Sequence, residues 1–161
     1  MTVTSVEKDF DHLTLTLTAE FDAPVEQVWE LWADPRKLER WWGPPTYPAT
    51  FERFELRAGG EVTYYMTSPE GEKYRGYWRV IAVDAPKSLE FRDGFADADG
   101  HPVVDMGMTR GRVELTDEGG STRMQLVSTF ESREHMTKLD EMGMSEGLTL
   151  AAGQMDALLT V

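Results

Sequence analysis

From His12 to Phe21 the chain alternates strictly. Leu13, Leu15, Leu17, Ala19 and Phe21 point one way, and Thr14, Thr16, Thr18 and Glu20 the other. A period of two with threonine on the wet face predicts a half-buried antiparallel strand. The period then changes. Val25, Val28, Trp29 and Trp32 fall at i, i+3, i+4 and i+7 behind Pro24. That spacing predicts a helix, and Pro24 suits its first position because the missing N–H would be unpaired there. Asp34-Pro35 ends this helix and opens a second short one carrying Leu38, Trp41 and Trp42, which Gly43-Pro44-Pro45 stops.

Period-two patterns return further on. Strands are expected over Ala49–Leu56, Glu61–Thr67, Tyr74–Val83, Leu89–Phe95, Thr109–Thr116 and Thr122–Phe130. Their apolar faces carry Val62, Tyr64 and Met66; then Gly76, Trp78 and Val80; then Leu89, Phe91 and Phe95; then Met124, Leu126, Ser128 and Phe130. Ser68-Pro69-Glu70-Gly71 and Asp117–Ser121 are hairpin turns by composition, Asp84–Lys87 is a third turn, and Ala96–Asp105 is a polar loop. Ser132-Arg133-Glu134 begins a short helical segment.

The last run, Met142–Leu159, is amphipathic at helical spacing. Met144, Leu148, Ala151, Ala152, Met155, Leu158 and Leu159 share one side. Ser145, Glu146, Thr149, Asp156 and Thr160 share the other, with Leu150 off the stripe. Adaptable methionine beside small alanine can line a cavity as well as fill a core.

One strand, two short helices, a run of strands and a closing helix predict an α+β domain spanning 1–161. The expected sheet is antiparallel, with about six or seven strands. A closing helix about 25 Å long, at 1.5 Å per residue, can lie across the concave face of such a sheet. Gly59-Gly60, Gly76, Gly94 and Gly111 stand where bends or bulges could curve it.

Composition narrows the function classes. With 161 residues, 40% of them hydrophobic, the chain can bury a core without disulfides or metal. No cysteine is present, which excludes thiol catalysis and cysteine metal sites. The net charge of −13 repels phosphate backbones and anionic lipid surfaces, so neither nucleic acid nor a membrane is an expected partner. No apolar run approaches the roughly 20 residues a bilayer span needs. The polar, acidic start MTVTSVEKDFDH does not read as a secretory signal, so the expected address is cytoplasmic.

FDAPVEQVWELWADPRKLERWWGPP, from Phe21 to Pro45, resembles the opening signature of the activator of heat-shock-protein-90 ATPase homologue-like family, part of the SRPBCC (START/Bet v-like) superfamily. The likeness continues through the Gly59-Gly60 strand start, the Glu70-Gly71 turn and Gly76 before an aromatic strand. It extends to Pro86 before Leu89, the Gly119–Arg123 hairpin, and the closing segment from Phe130-Glu131-Ser132 through Gly143-Met144 to Gly147. The resemblance implies a helix-grip fold, a curved antiparallel sheet around a C-terminal helix, commonly with a hydrophobic cavity between them. Its members range from ligand carriers and sensors to cyclases and other enzymes. The relatives that named the family are co-chaperones with an additional N-terminal domain, which these 161 residues do not contain. Similar proteins usually carry a large aromatic residue where this chain has Leu148, and often leucine where it has Ala152.

From the resemblance and the strand faces together, the expected ligand-binding residues are Val62, Tyr64, Met66, Trp78, Phe91, Phe95, Met124, Leu148, Ala151, Ala152 and Met155, with Trp42 at the rim. The expected partner is a small hydrophobic molecule, with no cofactor and no metal. Alternatives are a cyclase- or hydrolase-type enzyme using the same cavity, or a co-chaperone-like protein-binding module. A homodimer stays open, since aromatics such as Tyr65 or Tyr77 could pair across an interface.

No catalytic residue is assigned. His12, His101 and His135 are scattered, with Asp99/His101 and Glu131/His135 as weak pairs, and no nucleophile elbow or phosphate loop is present. Asp93 shares the inward face with Leu89, Phe91 and Phe95. In an apolar pocket such a carboxyl has a raised pKa and can serve as acid or base; at the strand's open end it would be solvated instead, which is the expectation. Asp105, between Val104 and Met106, is a weaker case of the same kind. Tyr64 and Tyr74 could offer hydroxyls to orient a ligand. Trp41 and Trp42 are adjacent on a helix and cannot face the same way, so one should pack on the core and the other cover a cavity mouth or pair with a neighbour.

Overall fold

The alternating run is a strand over Thr14–Phe21 with Leu15, Leu17, Ala19 and Phe21 buried, in a computed structural model that describes residues 3–103 and 107–159. It is β2 of an eight-stranded antiparallel sheet. The others are β1 (Val3–Asp9), β3 (Ala49–Phe54), β4 (Glu61–Thr67), β5 (Lys73–Asp84), β6 (Ser88–Phe95), β7 (Met108–Asp117) and β8 (Thr122–Thr129). Their order across the sheet is β1-β2-β8-β7-β6-β5-β4-β3, so the expected hairpins over 68–71 and 117–121 both form.

β1 is the strand beyond the expected six or seven. Its residues are mostly exposed, so no hydrophobic alternation marks it, and backbone pairing to β2 holds it at the edge. The pairing register shifts between Phe51 and Arg53 and between Val80 and Ala82. Gly76, Gly94 and Gly111 pair in register, so of the expected bends or bulges no bulge forms at these three glycines.

Two helices bridge β2 and β3. In α1 (Val25–Ala33), Val25, Val28, Trp29 and Trp32 form the buried face, and Pro24 sits one residue earlier than expected, at the N-cap. Asp34 caps α2 (Pro35–Leu38), accepting the Arg36 N–H at 2.9 Å. α2 stops at Leu38, short of the tryptophans, and hydrogen-bonded turns carry Trp41 and Trp42 onto the core.

After β8 come α3 (Arg133–Glu141), capped by Ser132, then α4 (Met144–Gly153) and α5 (Met155–Leu159). The expected continuous helix over Met142–Leu159 is therefore two pieces. At the break the Gln154 side-chain amide donates to the carbonyls of Gly43 (2.7 Å) and Trp41 (3.2 Å), tying the helix to the segment after α2. Met142 lies outside α4 and is exposed, and Ser145, placed by pattern on the wet side, is buried. Leu150, off the stripe, is exposed. No described helix is long and apolar enough to cross a membrane.

The core is densest beneath α1. Trp32 lies 4.7 Å from Trp41, 5.8 Å from Trp42 and 6.4 Å from Trp78 between ring centroids. Its indole N–H points at the Met124 sulfur (3.4 Å), and that of Trp41 donates to the Leu31 carbonyl (2.8 Å). Tyr77 is buried, so it is not the exposed aromatic that the dimer expectation invoked; Tyr65 is half-buried beneath Lys73 and Arg75.

Candidate functional site

Glycines on the inward face open the sheet toward the closing helices. Tyr64 of β4 pairs with Gly76 of β5, and a Cβ at Gly76 would overlap the Tyr64 ring. Phe91 of β6 pairs with Gly111 of β7, where a Cβ would come within 2.9 Å of the Phe91 ring. Each aromatic lies over its glycine, and each glycine leaves space in front of the sheet. The result is a cavity of about 500 Å³ between β4–β8 and the α3–α4 segment.

Its wall is mostly apolar. The sheet contributes Tyr64, Met66, Phe91, Phe95 and Leu126; the closing helices contribute Leu139, Met144 and Leu148; and the segment after α2 contributes Trp42 and Tyr47. The exposed side chains of Tyr74 and Met142 stand at the mouth. The polar groups on the wall include Asp93, Thr109, Ser128 and His135.

The twelve residues expected to bind ligand divide into two sets. Trp42, Tyr64, Met66, Phe91, Phe95 and Leu148 line the cavity. Val62, Trp78, Met124, Ala151, Ala152 and Met155 do not; all six are fully buried in packed interior. The two alanines, which could line a cavity or fill a core, are closed in, with Ala152 in the same core cluster as Met155. Trp41 packs on the core and its neighbour Trp42 reaches the cavity.

Asp93 is the chemically distinctive member. The expectation that it is solvated at the open end of its strand is corrected: it lies in the cavity wall directly across from Trp78. The Tyr64 hydroxyl donates to its Oδ1 at 3.0 Å. Burial pushes the Asp93 carboxyl up to about 7, against the smaller opposing pull of the Tyr64 hydroxyl and the Gly94 N–H. Asp93 is partly buried and lies on the cavity wall among apolar side chains. Burial also raises the Tyr64 hydroxyl well above its ordinary range, with the charge of Asp93 second.

Above this pair lie two buried indole N–H groups. The rings of Trp42 and Trp78 each lie 6.2 Å from the Tyr64 ring between centroids, and their N–H groups have no hydrogen-bond partner in the protein. Tyr64 donates to Asp93, while the two indole N–H groups stay without a partner. At this end of the cavity the group offered outward is a carboxylate.

Tyr74, the other hydroxyl candidate, donates to Glu72 at 3.0 Å on the exposed rim. His135 was not singled out for the cavity. It sits one turn into α3 beside Gly107, accepts the Glu131 N–H at 3.3 Å, and stacks edge-on against Phe130. Its position three residues after the Ser132 cap was the available signal. Asp97, Asp99 and His101 gather on the exposed 96–103 loop, where Asp97 accepts the N–H groups of Asp99 and His101 and so accounts for the loop's shape. Asp105 lies outside the described residues.

A curved antiparallel sheet with its helices closing over an apolar cavity defines the helix-grip class of the SRPBCC superfamily. The chain belongs to the family described as Activator of Hsp90 ATPase homolog 1-like protein, whose model matches residues 22–160. A solution NMR structure of a protein from Arthrobacter aurescens is 53% identical, covering 99% of this chain and 92% of that one, with a TM-score of 0.95. The crystal structure of Ms6760 from Mycobacterium smegmatis is 50% identical, covering 99% and 98%, with a TM-score of 0.91. DynU16, a protein in the dynemicin biosynthetic locus, is 19% identical over 89% of this chain and 47% of its own, with a TM-score of 0.62, a likeness of fold alone. Comparison with the curated proteins found no match.

Proposed function

We propose that this protein binds a small hydrophobic molecule in the cavity between its sheet and its closing helices. The observation that carries this reading is the cavity itself. At about 500 Å³ it falls in the range of roughly 300–1,000 Å³ usual for small-molecule sites, with a mainly apolar wall and a few convergent polar groups. The matching family supports it at the level of class. The residues assigned to binding are Trp42, Tyr64, Met66, Phe91, Phe95 and Leu148, joined by Asp93. The test is native mass spectrometry of the purified protein with a screen of apolar fluorescent probes, repeated on Leu148→Trp. Retention or uptake of one small molecule by the wild type, reduced in the variant, is the expected result. No uptake of any probe overturns the reading.

A second reading has one observation in its favour. A carboxyl at about 7 in an apolar wall is suited to general acid–base work, as in a cyclase- or hydrolase-type enzyme. The two differ in the fate of the bound compound, which a carrier returns unchanged and an enzyme converts. A protein-docking role has less support. Among the described residues the well-exposed large hydrophobics are Val6, Tyr74, Met142 and Leu150; they lie on different segments, and Tyr74 and Met142 already stand at the cavity mouth.

A further inference from the structure

The cavity contains a carboxylate with no cation beside it. Among the described residues, no lysine or arginine makes an ion pair with Asp93. The one arginine on the wall, Arg75, is committed to Glu52 at 2.9 Å and to the Tyr65 ring. The hydrogen-bond direction is also fixed. Tyr64 donates its hydroxyl proton to Asp93 Oδ1, and no second side-chain donor reaches Asp93 among the described residues. At Asp93 itself what remains for a ligand is an acceptor, so the ligand group that meets this carboxylate must bring a donor; the unpartnered Trp42 N–H on the same wall is left for an acceptor elsewhere on the ligand. Around it stand the rings of Trp42, Tyr64, Phe91 and Phe95, whose faces attract cations. The chain's net charge of −13 favours cations over anions at the mouth as well.

Resting on the cavity-binding reading above, we infer that the ligand is a hydrophobic amine, whose protonated nitrogen takes the open side of the Asp93 carboxylate while its apolar body fills the space toward Leu148 and Met144. The ammonium supplies the missing counter-charge and the missing donor together. An anionic amphiphile would meet the same carboxylate as repulsion. An alcohol would satisfy the acceptor without the charge. A carboxyl that burial has raised is also one that an arriving cation draws back toward ionisation, so binding couples to proton release. The other titratable groups facing the cavity are Tyr47, Tyr64, Tyr74, Arg75 and His135.

The test is calorimetric titration of the intact protein with n-octylamine, n-octan-1-ol and n-octanoate at pH 8, where the amine is protonated. It is repeated on Asp93→Asn and Tyr64→Phe, with thermal denaturation to confirm folding. Octylamine should bind at least about tenfold more tightly than octanol, because it adds an opposite charge in a poorly screened site to the hydrogen bond that both can make, with octanoate weakest. Asp93→Asn should bring octylamine down to about the affinity that octanol has for the same variant, a larger loss than octanol itself suffers. Tyr64→Phe should keep the amine preference, because the carboxylate remains. Octanol or octanoate binding as tightly as octylamine, or an unchanged octylamine affinity in Asp93→Asn, overturns the amine assignment alone. No binding of any of the three overturns both the assignment and the cavity reading beneath it.

Discussion

The two ends of the space between sheet and helices are built from similar residues and reach opposite results. At the closed end, Trp32, Trp41 and Trp78 interlock under α1, and Ala152 and Met155 sit in the same cluster without a void. At the open end, Tyr64 and Phe91 lie flat over Gly76 and Gly111, and Leu148 faces empty space. Apolar character therefore does not decide between core and cavity. The decision comes from which inward position lacks a side chain, and from whether a bulky residue of another element enters the gap. Trp32 enters from α1 at the closed end, whereas at the open end Trp42 and Tyr47 border the gap and, among the described residues, leave about 500 Å³ of it open.

That contrast predicts unequal costs for removing a large side chain. Trp32→Ala should lose about 3–5 kcal/mol, because the tryptophans around it cannot collapse to fill the hole. Leu148→Ala should lose only about 1–2 kcal/mol, since the half-buried leucine already borders a void and its removal enlarges one rather than creating one. Urea denaturation of both variants checks this. Equal losses would mean that the open end is packed in solution.

The ends differ in charge as well. In the unfolded chain the Asp93 carboxyl returns to about 3.9, whereas folding raises it to about 7. The folded state thus holds the proton more tightly. The stability linked to this group is complete below about pH 4, falls as pH rises through 7, and levels off above it. A shift of this size is worth a few kcal/mol. Asp93→Asn keeps an acceptor for Tyr64 but cannot ionise, so it should lose that slope and become more stable than the wild type above pH 7. Thermal denaturation of both proteins from pH 5 to pH 9 measures the difference. Parallel curves would show that Asp93 is solvated after all.

Much of this was legible in the chain. Parity along β6 put Asp93 on the face of Leu89 and Phe91, and parity along β4 put Tyr64 beside Val62. The resemblance of Phe21–Pro45 supplied the fold, which the family match then showed. What stayed hidden depends on partners distant in sequence. β1 exists because β2 offers it an edge, not because of its own pattern. The helix breaks where Gln154 reaches carbonyls more than a hundred residues earlier. The six residues that leave the expected site are set by register: periodicity gives the face of a strand, but only the pairing of Tyr64 with Gly76 says where along that face the void lies.

Exchanging volume between the ends tests that account most finely. Positions 148 and 152 sit on the same closing helix, one at each end of the space. Added volume should behave differently at the two. Ala152→Leu adds methylenes where Ala152 is already enclosed with Met155, and forcing them in should cost about 1–3 kcal/mol. Leu148→Phe adds volume where about 500 Å³ stands open, so no neighbour must move and stability should change by no more than about 0.5 kcal/mol. The same substitution narrows the cavity and should weaken uptake of apolar probes, whereas Ala152→Leu, acting at the closed end, should leave uptake intact in the folded fraction. Denaturation and probe titration on the two variants separate stability from binding. The comparison fails if the phenylalanine is the more damaging change, because the space in front of Leu148 would then be filled by the protein itself.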